Sequence, residues 1–235
     1  MEINGAMASI VAGAPGCIVL NRVIGLGLAS PATGADLEDI LDQYERARAG
    51  RFFLHLHPEA RPPDLQDRLE AAGFVSARAW RKFRRPAGPV DKRASSLQIR
   101  EVGPEHAGAF GRIAAAGFDL PPRAAPLVAG LVGRPGWHMV MSFDGDEPAG
   151  TGALFIQEGI AWTDWAATRP EYRRRGGQAA VLARRLEIAM EAGCEWVVTC
   201  TGEAVPGDPQ HSYGNILKAG FEEWTLRPNY APAPT

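Results

Sequence analysis

The sequence predicts a mixed α/β fold built from two units. Three observations carry this. Alternating apolar runs separated by the turns Asp144-Gly145 and Glu158-Gly159 form an antiparallel meander. A strand–helix–strand passage follows, with its helix over residues 176–191. Residues 84–96 are charged, carry Pro86, Gly88 and Pro89, and lack apolar periodicity, which is linker composition. The expected units are therefore 1–90 and 97–235, the second with a mixed sheet and helices on its faces.

In the first unit the patterns predict a strand over 18–28, a helix over 34–48 and a strand over 51–57. A helix over 63–71 and a strand over 74–82 complete a β-α-β-α-β order. In the second unit residues 97–102 alternate and predict a strand. Pro104 sits at a tolerated first-turn position of a helix running to about residue 116. A second helix over 122–131 closes at Gly133. Strands over 137–143, 149–156 and 160–168 form the meander. After the 176–191 helix come a strand over 195–201, a short helix over 208–218 and a last strand over 221–227. Leu69-Glu70-Ala71-Ala72-Gly73-Phe74 and Ile216-Leu217-Lys218-Ala219-Gly220-Phe221 repeat one device. In each, a helix ends at a Gly suited to the left-handed cap and an aromatic opens the next strand.

Composition narrows the function. Net charge is −2, so no global basic field points to nucleic acid, and an anion site must be local. Cys17, Cys194 and Cys200 are too few and too scattered for a disulfide framework or a Cys-rich metal site. His55 and His57 share one face of their expected strand, but two ligands do not make a metal site, so no metal is expected. The apolar N-terminus lacks a basic start and is interrupted by Asn21 and Arg22, and no run reaches the length of a membrane span. A cytoplasmic protein without a membrane partner is expected. Trp162, Trp165, Trp196 and Trp224 read as core or pocket wall, because no basic stripe is seen to interleave them.

The informative segment joins the third meander strand to the following helix: Pro170-Glu171-Tyr172-Arg173-Arg174-Arg175-Gly176-Gly177-Gln178-Ala179. Helix-start N–H groups and the helix dipole favour an anion. Gly176 and Gly177 permit close approach of a ligand to the backbone. Arg173, Arg174 and Arg175 add positive charge, and the whole suits a pyrophosphate cradle. It lacks both the Gly-Lys-Ser/Thr ending of a P-loop and the full dinucleotide glycine fingerprint.

This segment resembles the acyl-CoA motif of the GNAT superfamily of N-acyltransferases, Gln/Arg-x-x-Gly-x-Gly/Ala. Arg173 stands at its first position and Gly176 at its fourth, while Gln178 departs from the usual Gly or Ala at the last. The element order over 97–227 and the Ser212–Phe221 ending resemble the superfamily as well, and the first unit resembles a degenerate half of a tandem form. The resemblance implies a GNAT fold and acetyl transfer from acetyl-CoA, used as acyl donor, to an amine of a small molecule. It implies that Ala166, Ala167 and Thr168 line the pantetheine arm. Arg173, Arg174, Arg175, Gly176, Gly177, Gln178 and Ala179 would hold the pyrophosphate. Asn215 is a candidate CoA-contacting amide.

Where the superfamily often carries a thiolate-protonating Tyr this chain has Ile216. Tyr213, nearly one turn earlier, is the candidate acid, with a packed aromatic as the other reading. Strand parity places Asp164 beside Trp162 and Ala166 on one face. A poorly solvated carboxylate there would have a raised pKa suited to a general base, and a partly exposed strand acid is the alternative. Glu203 and His211 are further candidates. Two classes of function stay open: an active acetyltransferase, and a non-catalytic GNAT-fold module that binds or senses acetyl-CoA. Homodimer formation also stays open.

Overall fold

The computed structural model describes residues 1–91, 94–207 and 211–234. By its internal contacts the chain divides into Met1–Arg81 with Thr225–Thr235, and Lys82–Trp224. The last eleven residues, expected with the second unit, belong by these contacts to the first. No helix among the described residues is long and apolar enough to cross a membrane.

The first unit opens with two strands absent from the expected order, β1 (Glu2–Ile3) and β2 (Ala6–Ser9). Asn4 and Gly5 join them with φ of 45° and 77°, the backbone of a two-residue hairpin. β3 (Arg22–Ile24) is what forms of the strand expected over 18–28. It starts late because the buried amide of Asn21 is committed to the preceding turns. Its Nδ2 donates to Ala14 O at 2.8 Å and its Oδ1 accepts from Val11 N at 2.7 Å. It stops early because Gly25 and Gly27 take left-handed φ of 88° and 80°.

α1 (Gly34–Arg46) starts at a capping box, in which Thr33 Oγ1 accepts from Asp36 N and Asp36 accepts from Thr33 N. Its apolar stripe Leu37, Ile40 and Tyr44 is buried, with the Tyr44 ring stacked 3.7 Å from Phe52. β4 (Phe53–His55), α2 (Leu65–Ala71) and β5 (Phe74–Pro86) follow. The order is thus β-β-β-α-β-α-β. Within this unit the strands lie in the order β1-β2-β3-β4-β11-β5, where β11 is Glu222–Pro232. His55 ends β4 and is buried, whereas His57 lies beyond the strand with its Nδ1 accepting from Glu59 N at 3.1 Å. The two imidazoles therefore do not share a strand face.

In the second unit β6 (Gln98–Val102) leads to a 3-10 turn at Pro104–His106 and α3 (Ala107–Gly117). The helix expected over 122–131 divides into a 3-10 turn, Pro122–Ala124, and the short α4 (Ala125–Ala129). Pro121, Pro122 and Pro126 leave few main-chain donors for a longer helix. The meander forms as β7 (Trp137–Asp144), β8 (Glu147–Gln157) and β9 (Ile160–Thr168). Then come α5 (Gly177–Glu191), β10 (Trp196–Gly202), α6 (His211–Lys218) and the start of β11. Residues 208–210 of the expected last helix lie outside the described residues. From β5 the strands of this unit run β10-β9-β8-β7-β6; β10 and β9 are parallel, and the pairs β9–β8, β8–β7 and β7–β6 are antiparallel.

Residues 84–86 of the expected linker continue β5. Phe83 is fully buried with Val181, Leu182, Leu186, Ile216 and Phe221. The repeated helix ending is present in both units: Gly73 and Gly220 have φ of 84° and 82°, each one residue before a buried Phe. The tryptophan face also differs from expectation. Lys82 Nζ lies 4.3 Å over the Trp162 ring, and Arg84 Cζ lies 5.1 Å from Trp196 and 5.5 Å from Trp224. Basic residues of β5 therefore do interleave three of the tryptophans, each cation seated on its own protein's ring.

Candidate functional site

The site grows from a departure of two strands. β9 and β10 pair in register from Trp196↔Ile160 to Val198↔Trp162, and no main-chain register continues beyond that pair. Thr199 Oγ1 reaches Thr163 O at 3.2 Å where the next rung would be. On its other edge β9 carries a bulge. Ala153 faces Asp164 and Thr151 faces Ala167, so β9 holds one more residue than β8 between them. Trp165 takes φ of 50°, uncommon for a bulky residue. The strand end that follows, residues 166–168, is thereby turned out of the β9–β10 ladder.

The loop after β9 is anchored by Arg169, which donates to Pro148 O at 2.9 Å and pairs with Glu147 and Glu171. A 3-10 turn, Pro170–Tyr172, and an extended Arg173 follow. Arg174 and Gly176 are both left-handed, with φ of 62° and 79°, and Gly176 is the N-cap of α5. Alternation of this kind turns successive amides toward one side. Ala180 N bonds to Gly176 O at 3.1 Å. The amides of Gly177, Gln178 and Ala179 precede that first helical bond and lack an intrahelical acceptor.

A cavity of about 770 Å³ lies along these elements. Ala166, Ala167, Thr168, Arg173, Arg174, Gly176, Gly177, Gln178, Ala179 and Asn215 all line it. Asn215 Nδ2 donates to Gln178 Oε1 at 3.2 Å, which joins α6 to α5 across the cavity wall. Tyr172, His211, Ser212, Gly214 and Lys218 line it too. Of these only His211 figured among the sequence candidates. The signal for Lys218 was present, since His211, Asn215 and Lys218 recur at i, i+4 and i+7 on one helix face. Gly117 also lines it and had no such signal. It is there because a Cβ at Gly117 would stand 2.4 Å from Ala167 Cβ.

Three expected site residues are placed elsewhere. Arg175 turns to the β7–β8 hairpin, where Nη1 and Nη2 grip Asp144 at 2.8 and 2.9 Å and Nε donates to Ser96 at 3.0 Å. That fork holds the Asp144 carboxyl below its usual range. Tyr213 is off the wall: its hydroxyl donates to Glu223 and its ring packs edge-on to Phe83 at 5.1 Å. Asp164 is off it as well. One oxygen accepts from Trp165 N at 2.8 Å and the other from Trp162 Nε1 at 3.2 Å. Strand parity missed this because the bulge follows Asp164 directly. Tyr213→Phe is therefore expected to leave both acetyl-CoA affinity and any turnover within about twofold of the parent. A loss on the order of 10²-fold in turnover would restore the acid role.

The reason for Gly176 also changes. A Cβ there would stand 2.2 Å from Ala94 O and 3.1 Å from Ser95 Cα. Ser95 Oγ donates to Arg175 O at 3.0 Å, and Ser96 N donates to the same oxygen at 3.3 Å. The glycine thus admits the chain entering β6, in addition to bordering the cavity.

No family model matches the chain, and no curated protein matches it by sequence. Solved structures do match. A GCN5-related N-acetyltransferase from Kribbella flavida superposes with a TM-score of 0.64 at 18% identity, covering 92% of this chain and 82% of that one. One from Sphaerobacter thermophilus gives 0.58 at 16% identity over 84% and 65%. A tandem GNAT protein from the clavulanic acid biosynthesis pathway gives 0.60 at 14% identity over 91% and 75%. At such identities it is the architecture that is shared, and the chain has the fold of the GCN5-related N-acetyltransferases.

Proposed function

We propose that the chain is a cytoplasmic N-acetyltransferase that carries acetyl from acetyl-CoA to a primary amine of a small molecule. The observation that carries this reading is the group of amides at residues 177–179 without intrahelical acceptors, presented with Arg173 and Arg174 along one cavity. Main-chain donors and paired guanidinium groups suit a diphosphate. Two arginines serve the cradle, since Asp144 engages the third. The end of β9, released from β10, offers main-chain groups to the amides of a pantetheine arm. Asn215 and Gln178, bonded to each other, stand opposite it on the wall.

The chemistry is attack of a neutral amine on a thioester, giving an amide and the CoA thiol. It needs a proton path away from the amine and toward the sulfur. His211 is the imidazole on the cavity wall, and Asp164 and Tyr213 are not on that wall. The first unit is a degenerate half without its own cradle. At the start of α1, burial would raise the pKa of Asp36, but hydrogen bonds from Thr33 and Asn4 outweigh it and hold the carboxyl below its usual range. An anionic Asp36 where a phosphate would sit repels it.

A second reading is favoured by one observation. Ile216, at the position of the superfamily's usual acid, is buried among Phe83, Leu182 and Phe221. That suits a module that holds acetyl-CoA without turnover. Titration calorimetry with acetyl-CoA, followed by thiol release against a panel of amines, decides. The expected result is one acetyl-CoA per chain, an affinity that weakens with salt, and thiol release with at least one amine. Binding without release across the panel would leave the second reading. Absence of binding at millimolar acetyl-CoA would sink both.

A further inference from the structure

Arg185 is a buried charged side chain that reaches the strand leading to the cavity, and the function proposed gives it no task. It projects from α5 and is 2% exposed. Its Nη1 donates to Ala153 O on β8 at 3.0 Å and to Asp164 O on β9 at 3.2 Å. Those two residues face each other at the last regular rung before the bulge. Its Nε donates to Val181 O at 3.3 Å. Gly152, opposite the bulge, is shaped to this guanidinium, since a Cβ there would meet Arg185 Cζ and Nε at 2.8 Å and Val181 Cγ1 at 2.6 Å. Thr151 Oγ1 donates to Trp165 O at 3.0 Å from the same strand. The bulge is thus clamped at two successive carbonyls, Asp164 O by Arg185 and Trp165 O by Thr151.

We propose that Arg185 is a positioning residue for the cavity: it fixes the β9 bulge and so aims residues 166–168, the strand end that lines the site. Burial pushes the Arg185 pKa down to about 10, and attraction from Asp164 offsets only part of this. A cation held at that cost is a poor choice for stability alone, where an apolar side chain of similar length serves better. Its guanidinium geometry supplies what an apolar chain lacks, donors to both strands where the ladder changes register. The consequence for acetyl-CoA rests on the function proposed above, whereas the effect on the bulge does not.

The test pairs Arg185→Met and Thr151→Val in the full chain. Two readouts are taken: acetyl-CoA affinity, and amide hydrogen exchange at residues 165–168 compared with α5. The expected result for each variant is an unchanged circular dichroism spectrum and faster exchange at 165–168 with α5 still protected. Acetyl-CoA Kd is expected to rise about tenfold, because small displacements of a positioning strand are costly. Arg185→Lys is expected to restore part of both. If Arg185→Met fails to fold, Arg185→Lys decides by the same exchange readout against the parent, since it keeps the buried stem and the charge but loses the guanidinium that reaches both strands. Folded variants with parental exchange at 165–168 would overturn the proposal. A parent that does not bind acetyl-CoA would overturn the function instead, while exchange would still decide the role of Arg185.

Discussion

A fragment beginning at residue 97 is expected to lack a folded second unit, although the linker composition of 84–96 suggests a clean cut there. The fragment lacks Lys82–Pro86 of β5, the strand beside β10. It loses Phe83, fully buried among residues of α5, α6 and β10. It loses Arg85 Nη1, which donates to Ala219 O at 2.6 Å, and Ala87 N, which donates to Glu195 O at 2.9 Å. Truncating a buried Phe alone costs about 3–5 kcal/mol, a large part of the roughly 5–15 kcal/mol that holds a domain. Loss of the neighbouring strand adds an unpaired edge. The measurement is circular dichroism and thermal melting of fragment 97–235 beside the full chain carrying Phe83→Ala. The fragment should show no cooperative transition. The full-chain variant should melt roughly 6–20 °C lower, at about 2–4 °C per kcal/mol. A cooperatively melting fragment would show that the β5 segment is dispensable to this unit.

Gly176→Val is expected to be the most damaging single change at the cradle, for two reasons that add. A β-branched residue at φ 79° is strained by about 1–2 kcal/mol. Its Cβ would stand 2.2 Å from Ala94 O, a main-chain atom that has no rotamer to yield, and overpacking costs about 1–3 kcal/mol more. The expected fall in melting temperature is roughly 5–15 °C, with acetyl-CoA affinity reduced on the order of 10²-fold. Gly177→Ala is the control. There the nearest atom is the end of the Leu97 side chain at 2.8 Å, which can move. Its effect should be within about 1 kcal/mol. Equal effects of the two substitutions would mean that the contact with Ala94 does not control the cradle.

Much of the cavity wall was legible because its chemistry is local. Glycines and arginines between a strand and a helix lie together wherever the rest of the chain goes, and that grouping suits an anion. The meander was legible from its turns. The N-terminal hairpin carried its own signal, Asn4-Gly5, but strands of two and four residues are too short for alternation to reveal. What was not legible depends on distant partners. Tyr213 on α6 faces Glu223 on β11, Arg175 in the loop before α5 faces Asp144 in the β7–β8 hairpin, and Asp164 sits just before a bulge bonded by Thr151 and Arg185. The placement of Phe83 was hidden because a strand continuing into Arg84-Arg85-Pro86 reads as the start of a linker.

The stitching of residues 94–96 to the loop at Arg175 has a consequence for how the chain tolerates change in length. A connection between strands ordinarily accepts extra residues at little cost, since closure entropy grows slowly with loop length. The connection entering β6 is not of that kind. Ala94 O fills the space that Gly176 leaves open, and Ser95 and Ser96 both hold the carbonyl of Arg175. An insertion there displaces the underside of the cradle along with the connection. The turn at Glu158-Gly159, with φ of 50° and 76° and open space around the Gly159 Cβ position, is tied more lightly, by the single bond from Glu195 N to Gly159 O at 2.8 Å. Additional sequence, a tag or a grafted segment belongs at that turn, whereas residues 94–96, within the stretch that composition marks as a tether, are one of the places where this fold has no slack.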